Sequence, residues 1–445
     1  MFKRDITESL RKWRKSPHRK PLIMRGARQV GKTTIVHEFG REFNHYLYYN
    51  LENPQNSRIF EQERPLDDLM NFLFAHSGQP QDGETLLFID EIQNSPKTIA
   101  LLRYFYELRN DLFVIAAGSL LENVIDVNAS FPVGRVQYLP VRPCSFCEFL
   151  SAINCSNLVN VMSSATDTIA IHSELMSKYN QYSLVGGMPE IVDAFSKNPD
   201  IASLNDIYET LLQTYRDDVE KYTHGKKLTD VIRFILTYGW YKAGEIIKLG
   251  NFAGSTFAAR EVGEAFRLLQ KAMLLELAYP TTSAQMPAIP ETRRMPKLLW
   301  LDSGLVNYAA KLRKETLNAL DLLDVWRGHF AEQLVGQELL TQSHDISQTR
   351  QFWSKGDGIN GAEVDFVWIW DSELIPIEVK AGHNAKLRSL HSFIDRSPLD
   401  IAVRVWSQPF SIDTVETPIK RKRFRLVNLP FYLVGNLEKI LTQYA

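Results

Sequence analysis

The chain has 445 residues, 44% of them hydrophobic and 23% charged, with a net charge of −1 and a pI near 6.8. That length suits about two to four domains, and a neutral chain has no global basic field, so any nucleic-acid contact must come from a local patch. Three cysteines, Cys144, Cys147 and Cys155, make no disulfide framework and fit a reducing compartment. The basic opening "MFKRDITESLRKWRKSPHRK" lacks a signal-peptide apolar core, and no run approaches the roughly 18 apolar residues of a spanning helix. The expectation is a cytoplasmic protein without membrane contact.

In chain order, Ile6, Leu10 and Trp13 recur at helical spacing and predict a short amphipathic helix. "RKPLIMRG" is a short apolar run into a glycine loop, and "KTTIVHEFGREF" continues as a helix. "HYLYYNLE" reads as a second strand, "TLLFIDE" as a third and "LFVIAAGS" as a fourth, with the helical "KTIALLRYFYELRND" between the last two. This alternation predicts a parallel α/β sheet over 1–160. A mainly helical lid follows over 161–225, broken by "GGMPEIV". Residues 226–316 carry short helices and the apolar strand "PKLLWLDSG". There, "AGEIIKLGNFAGSTFAAREVGEAFRLLQ" reads as helix, glycine-containing turn, helix, with Ser255 or Thr256 as cap, which is helix-turn-helix or winged-helix grammar. From 317 to 445 a helix around "GHFAEQLVGQELLTQ" precedes strands at "EVDFVWIW", "ELIPIEVKA", "IAVRVWS" and "RFRLVNLPFYL", forming a second α/β unit.

Residues Gly26 to Thr33 have the form G-x-x-x-x-G-K-T between a strand and a helix. Glycines let such a loop turn its N–H groups inward, and the helix start favours anions. Gly26, Ala27, Arg28, Gln29, Val30, Gly31, Lys32, Thr33 and Thr34 would therefore cradle the phosphates of ATP, with Lys32 on the β- and γ-phosphates and Thr33 on Mg²⁺. "LLFIDE" supplies the acidic partner: Asp90 for the Mg²⁺ shell and Glu91 to orient or deprotonate water. Ser119, at the end of "LFVIAAGS", is either a γ-phosphate sensor or a helix cap. Arg135 is either an arginine finger acting in trans, which requires a homo-oligomer, or a structural turn residue. Arg28 reads as a surface or inter-subunit contact rather than a catalyst.

"GARQVGKTT", "LLFIDEIQ", "AAGS", "GRVQYLPVRPCSFCEFL" and "GGMPE", in this order, resemble a family of bacterial and archaeal AAA-type ATPases close to the archaeal ATPase and STAND groups. The resemblance implies a P-loop domain with a helical lid, and a following C-terminal domain of uncharacterised function. It also implies that Gly186, Gly187 and Pro189 sense nucleotide near the adenine. "CSFC" departs from the family's wording; with no second pair to complete four ligands, it reads as packing against the sheet rather than a metal site.

In "EVDFVWIWDSELIPIEVK", Val364, Phe366, Trp368 and Trp370 alternate with Glu363, Asp365, Val367 and Ile369. Asp371-Ser372-Glu373 reads as a hairpin turn. A loop of Asp371-Ser372 sets Asp365 opposite Glu378; a loop of Ser372-Glu373 sets it opposite Lys380. Either way Asp365, Glu378 and Lys380 converge, so that Asp365 and Glu378 could share Mg²⁺ while Lys380 offsets phosphorane charge. The arrangement resembles the PD-(D/E)XK nuclease signature and implies a restriction-endonuclease-like fold. A preceding helix would add a glutamate, Glu332 in preference to Glu338. Arg260, Arg267 and Lys271 are the better DNA-facing candidates; the run Lys420 to Arg425 reads equally as a charged strand edge. The functional expectation is a Mg²⁺-dependent ATPase acting on DNA, its nucleotide state gating the C-terminal domain. The alternative is a nucleotide-switched binding protein whose nuclease-like fold does not cleave.

Overall fold

The computed structural model describes residues 2–118, 132–222, 225–311, 329–356, 361–380 and 387–444. After the amphipathic helix Ile6–Lys15 come five strands: β1 (Leu22–Arg25), β2 (His45–Asn50), β3 (Thr85–Asp90), β4 (Phe113–Gly118) and β5 (Gln137–Pro140). They form one sheet in the order β2-β3-β4-β1-β5, parallel at every pairing. Strands β3 and β4 are buried along their whole length, with Leu86 and Phe88 in one cluster and Leu87 and Ile89 in the other. Burial on both faces is why these segments read as continuous apolar runs. The edge strand β5 goes beyond the sequence reading, which assigned no strand there.

Helices Phe146–Ala152, Ser156–Val161, His172–Val185, Pro189–Lys197 and Asn205–Tyr222 follow. Helix Lys226–Tyr238, helix Ala259–Lys271 and the antiparallel pair of β6 (Leu275–Ala278) and β8 (Lys297–Trp300) come next, while β7 (Pro280–Thr281) leaves to join the C-terminal sheet. Two sequence expectations are corrected here. Residues 243–251 are not helical, since Ile246 bridges to Lys297. Neither Ser255 nor Thr256 caps Ala259–Lys271; its N-cap position is Ala258, whose N–H donates to Glu261 Oε2 at 3.1 Å.

The C-terminal sheet has seven strands in the order β13-β14-β12-β11-β10-β9-β7. Its members are β9 (Gln351–Ser354), β10 (Glu363–Trp370), β11 (Glu373–Val379), β12 (Ile401–Trp406), β13 (Ser411–Glu416) and β14 (Arg423–Pro430). Asp371 (φ 48°) and Ser372 (φ 62°) make the two-residue hairpin loop, and Phe366 faces Ile377, so Asp365 lies opposite Glu378. A bulge between Val364 and Val367 against β9 breaks the expected alternation. Val364 therefore packs with Val367 and Leu374, while Phe366 and Trp368 join the large core. That core is continuous from Ile6 to Leu441. The helix His329–Thr341 lies inside it, buried from Phe330 to Leu340. Its buried amides are consequently paired: Gln333 exchanges two 2.8 Å hydrogen bonds with the Trp300 backbone, and Gln337 accepts from Ser303 N at 2.7 Å.

Candidate functional site

Strand β1 delivers the chain into the loop that ends at Gly31, whose φ of 91° suits glycine and turns the backbone into the helix Lys32–Gly40. Lys32 Nζ donates to Gly26 O and Ala27 O, each at 2.9 Å. Burial pulls the ammonium down to about 8, against the opposing pull of Glu91 and Asp90. Thr33 Oγ1 donates to Asp90 Oδ2 at 2.7 Å, although β4 separates β3 from β1. A hydroxyl and a carboxylate in contact are a hard-oxygen pair that fits Mg²⁺. Burial raises Asp90. Glu91 sits at φ 52° with its Oε2 accepting from Gln93 Nε2 at 2.5 Å.

Beside these groups lies a cavity of about 740 Å³, lined by Arg28, Gln29, Gly31, Lys32, Thr33, Thr34, Glu91 and Pro189 among others. Gly26, Ala27, Val30 and Gly187 do not line it; Ala27 and Val30 are core residues. Phe2 and Arg4 line it and were missed by the sequence reading, because nothing in "MFKRD" marks them. Arg4 ties the N-terminal segment to the loop through Val30 O (3.2 Å), Arg142 O (2.7 Å) and Glu148 Oε1 (2.9 Å). Arg28 makes an intramolecular contact, Nη1 to Asp218 Oδ1 at 2.9 Å, because the helix Asn205–Tyr222 packs over the loop. Ser119 lies outside the described residues. Arg135 precedes β5, at the end of the sheet away from the loop, and pairs with Glu107 at 3.3 Å.

Gly187 is held from two sides. Cys144 N donates to Gly187 O at 2.6 Å, and Gly187 N donates to Asp302 Oδ2 at 2.5 Å. A side chain at Gly187 would strike Cys144 O, so only glycine fits. Asp302, fully buried, also accepts from Leu305 N at 2.9 Å, and burial raises it to about 6. Cys144 packs in the core and Cys147 is pushed up to about 12 by burial, so both are inert thiols.

In the C-terminal sheet, Asp365 Oδ2 accepts from Val379 N at 2.7 Å and Lys380 Nζ stands 2.6 Å from Glu378 Oε1. Lys297, from β8, enters the same cluster: its Nζ is 2.5 Å from Glu332 Oε2, 3.6 Å from Glu363 Oε1 and 3.1 Å from Asp365 O. Burial would lower its ammonium, but the carboxylates, Glu332 first, more than reverse this. Burial raises Glu332 and Glu378. Glu338 lies elsewhere, accepting from Tyr182 OH at 2.7 Å and Phe146 N at 3.2 Å. Among the described residues no group of three or more His, Cys, Asp or Glu is placed to hold a metal. With an ammonium among its acids, the cluster as it stands does not fit a divalent ion. Lys297 escaped the sequence reading; the available signal was a lone cation opening a strand that is otherwise apolar.

Arg260 and Arg267 are exposed on Ala259–Lys271, with the exposed Glu264 between them. Much of the basic run is engaged locally: Lys420 with Asp395 O, Lys422 with Ser397 O (each 2.6 Å) and Arg425 with Tyr444 O (2.9 Å). Among the described residues no helix is long and apolar enough to cross a membrane.

A family model for the AAA domain matches residues 18–150. The N-terminal part of the chain is thus similar to an AAA domain. The AAA domain is followed by matches to two domains of unknown function, DUF8612 at 176–316 and DUF4143 at 327–432. No curated protein matches the chain. Similar solved structures include a Walker-type ATPase of Pyrococcus abyssi (14% identity, TM-score 0.38, covering 70% of this chain and 96% of that one). Others are the ORC1 protein of Aeropyrum pernix in complex with DNA (10%, 0.27, 69% and 90%) and the RuvB Holliday junction branch migration motor of Thermotoga maritima (15%, 0.26, 62% and 90%).

Proposed function

We propose that the chain is a Mg²⁺-dependent ATPase whose nucleotide state controls a C-terminal nuclease-like domain acting on DNA. The observation that carries this is the meeting of Lys32, Thr33 and Glu91 at one 740 Å³ cavity, with Asp90 bonded to Thr33 behind them. Thr33 and Asp90 would hold Mg²⁺, which supplies positive charge to the phosphates. Lys32 exchanges two carbonyl partners for phosphate oxygens, and Glu91 orients the attacking water. Pro189 forms the wall of the same cavity, so phosphate contact there bears on the lid. Because Arg135 is remote from its own chain's loop, a role for it at a nucleotide requires a second copy, and the proposal includes a homo-oligomer. Mass photometry showing only monomers with an ATP analogue would remove that part. Lys32→Ala should abolish ATP turnover, and Glu91→Gln should bind ATP while slowing hydrolysis on the order of 100-fold. Turnover by Lys32→Ala equal to wild type would overturn the assignment.

The winged-helix-like segment, with Arg260 and Arg267 outward, is the proposed DNA contact, and binding there should weaken steeply with salt. A second reading, a nucleotide-switched protein that grips DNA without cutting it, is favoured by the presence of Lys297 among the carboxylates. A nuclease assay over DNA forms with Mg²⁺ or Mn²⁺, with and without ATP, separates the two. Cleavage that Asp365→Ala removes while ATPase activity remains supports the first; none under any condition leaves the second.

A further inference from the structure

We infer that Lys297 is a built-in cation that keeps divalent metal out of the C-terminal carboxylate cluster. The inference rests on the nuclease-like reading of that cluster. Four carboxylates come from different elements: Glu332 from the buried helix, Glu363 and Asp365 from β10, and Glu378 from β11. Such a gathering of acids calls for positive charge. Lys380 answers one oxygen of Glu378 only, at 2.6 Å, and Glu378 Oε2 is buried without a hydrogen-bond partner among the described residues. The remaining charge comes from outside the C-terminal sheet. Lys297 belongs to β8, is 1% exposed, and fits between the rings of Phe352 and Phe366 (5.0 and 5.2 Å) with its ammonium on Glu332, Glu363 and the Asp365 carbonyl. An ammonium and a divalent ion cannot share that space, because each needs the same oxygens and they repel one another.

Strand β8 also gives this cation an attachment. Two residues beyond its end, Asp302 grips Gly187, and two residues further along that segment Pro189 walls the nucleotide cavity. Six residues of chain thus connect the carboxylate cluster to the lid. A shift of β8 would withdraw Lys297 from the carboxylates.

The test is Mn²⁺ binding to the nucleotide-free full chain, followed by electron paramagnetic resonance of free Mn²⁺. Wild type should show no binding that depends on Glu378. Lys297→Met should gain a site at least tenfold tighter than any in wild type, and adding Glu378→Gln should remove it. If Lys297→Met does not fold, the paired change of Lys297→Met with Glu332→Gln removes the ion pair as a neutral unit and should still show Glu378-dependent binding, weaker than the single change would give because one carboxylate is lost. Glu378-dependent binding already present in wild type would overturn the role of Lys297 and leave the nuclease-like reading standing. Absence of such binding in wild type and in every folded Lys297 variant would overturn both.

Discussion

Lys32 and Lys297 each open a regular element, each is buried, and each has carboxylates close by. Lys32 bonds only to carbonyls, faces a large cavity, and is pulled down to about 8 by burial. Lys297 is wrapped by acids and phenyl rings, and its ammonium is pushed up. The first bonds to backbone carbonyls beside a cavity; the second has carboxylate partners built in. Two similar-looking lysines thus mark one site made for a ligand and one already neutralised, and only the groups around them distinguish the two.

The largest effect should come from breaking the second arrangement. Lys297→Ala leaves the buried Glu332 and the partly buried Glu363 without their cation, and urea denaturation should report a loss of about 3–5 kcal/mol, partly restored by adding Glu332→Gln. Next is the connection between the two regions. Asp302→Ala strips acceptors from Gly187 N and Leu305 N, costing about 1–3 kcal/mol for each unsatisfied group, and should also weaken nucleotide binding by releasing the Pro189 wall. Asp302→Asn should lose less in both measurements.

A pH series sharpens the contrast. Burial pulls Lys32 down to about 8, and a phosphate beside it would keep it charged. Binding above pH 8 therefore takes up a proton, so ATP affinity should be flat below that pH and fall by up to about tenfold per unit above it. Fluorescent-nucleotide titrations from pH 7 to about pH 9.5, in a range where the fold persists, check this. The smallest effect concerns the hairpin that sets the carboxylate register. Ser372 has φ 62°, so Ser372→Gly should stabilise the chain by up to about 1 kcal/mol in thermal melts.

Local patterns carried much of this structure into the sequence. The buried strands read as apolar runs because both sheet faces are covered, and G-x-x-x-x-G-K-T stood in the strand–loop–helix setting that it occupies in the fold. Asp365, Glu378 and Lys380 could be brought together because hairpin pairing is local; the register stayed open because Asp371-Ser372 is not a glycine turn. What could not be read was set by distant contacts. The bulge that moves Val364 depends on β9, and the short strand β5 exists through pairing with β1. Arg4 reaches a loop more than 20 residues away, and Lys297 meets acids more than 30 residues away, with no periodicity to announce either.

Amide hydrogen exchange of the Glu91→Gln protein, with and without ATP, tests the control of the C-terminal cluster by nucleotide most directly. ATP should change exchange at residues 186–190 and also at residues 297–302, and Lys32→Ala should abolish both changes. Protection changes confined to the loop at 26–34, with residues 297–302 identical in the two states, would contradict it.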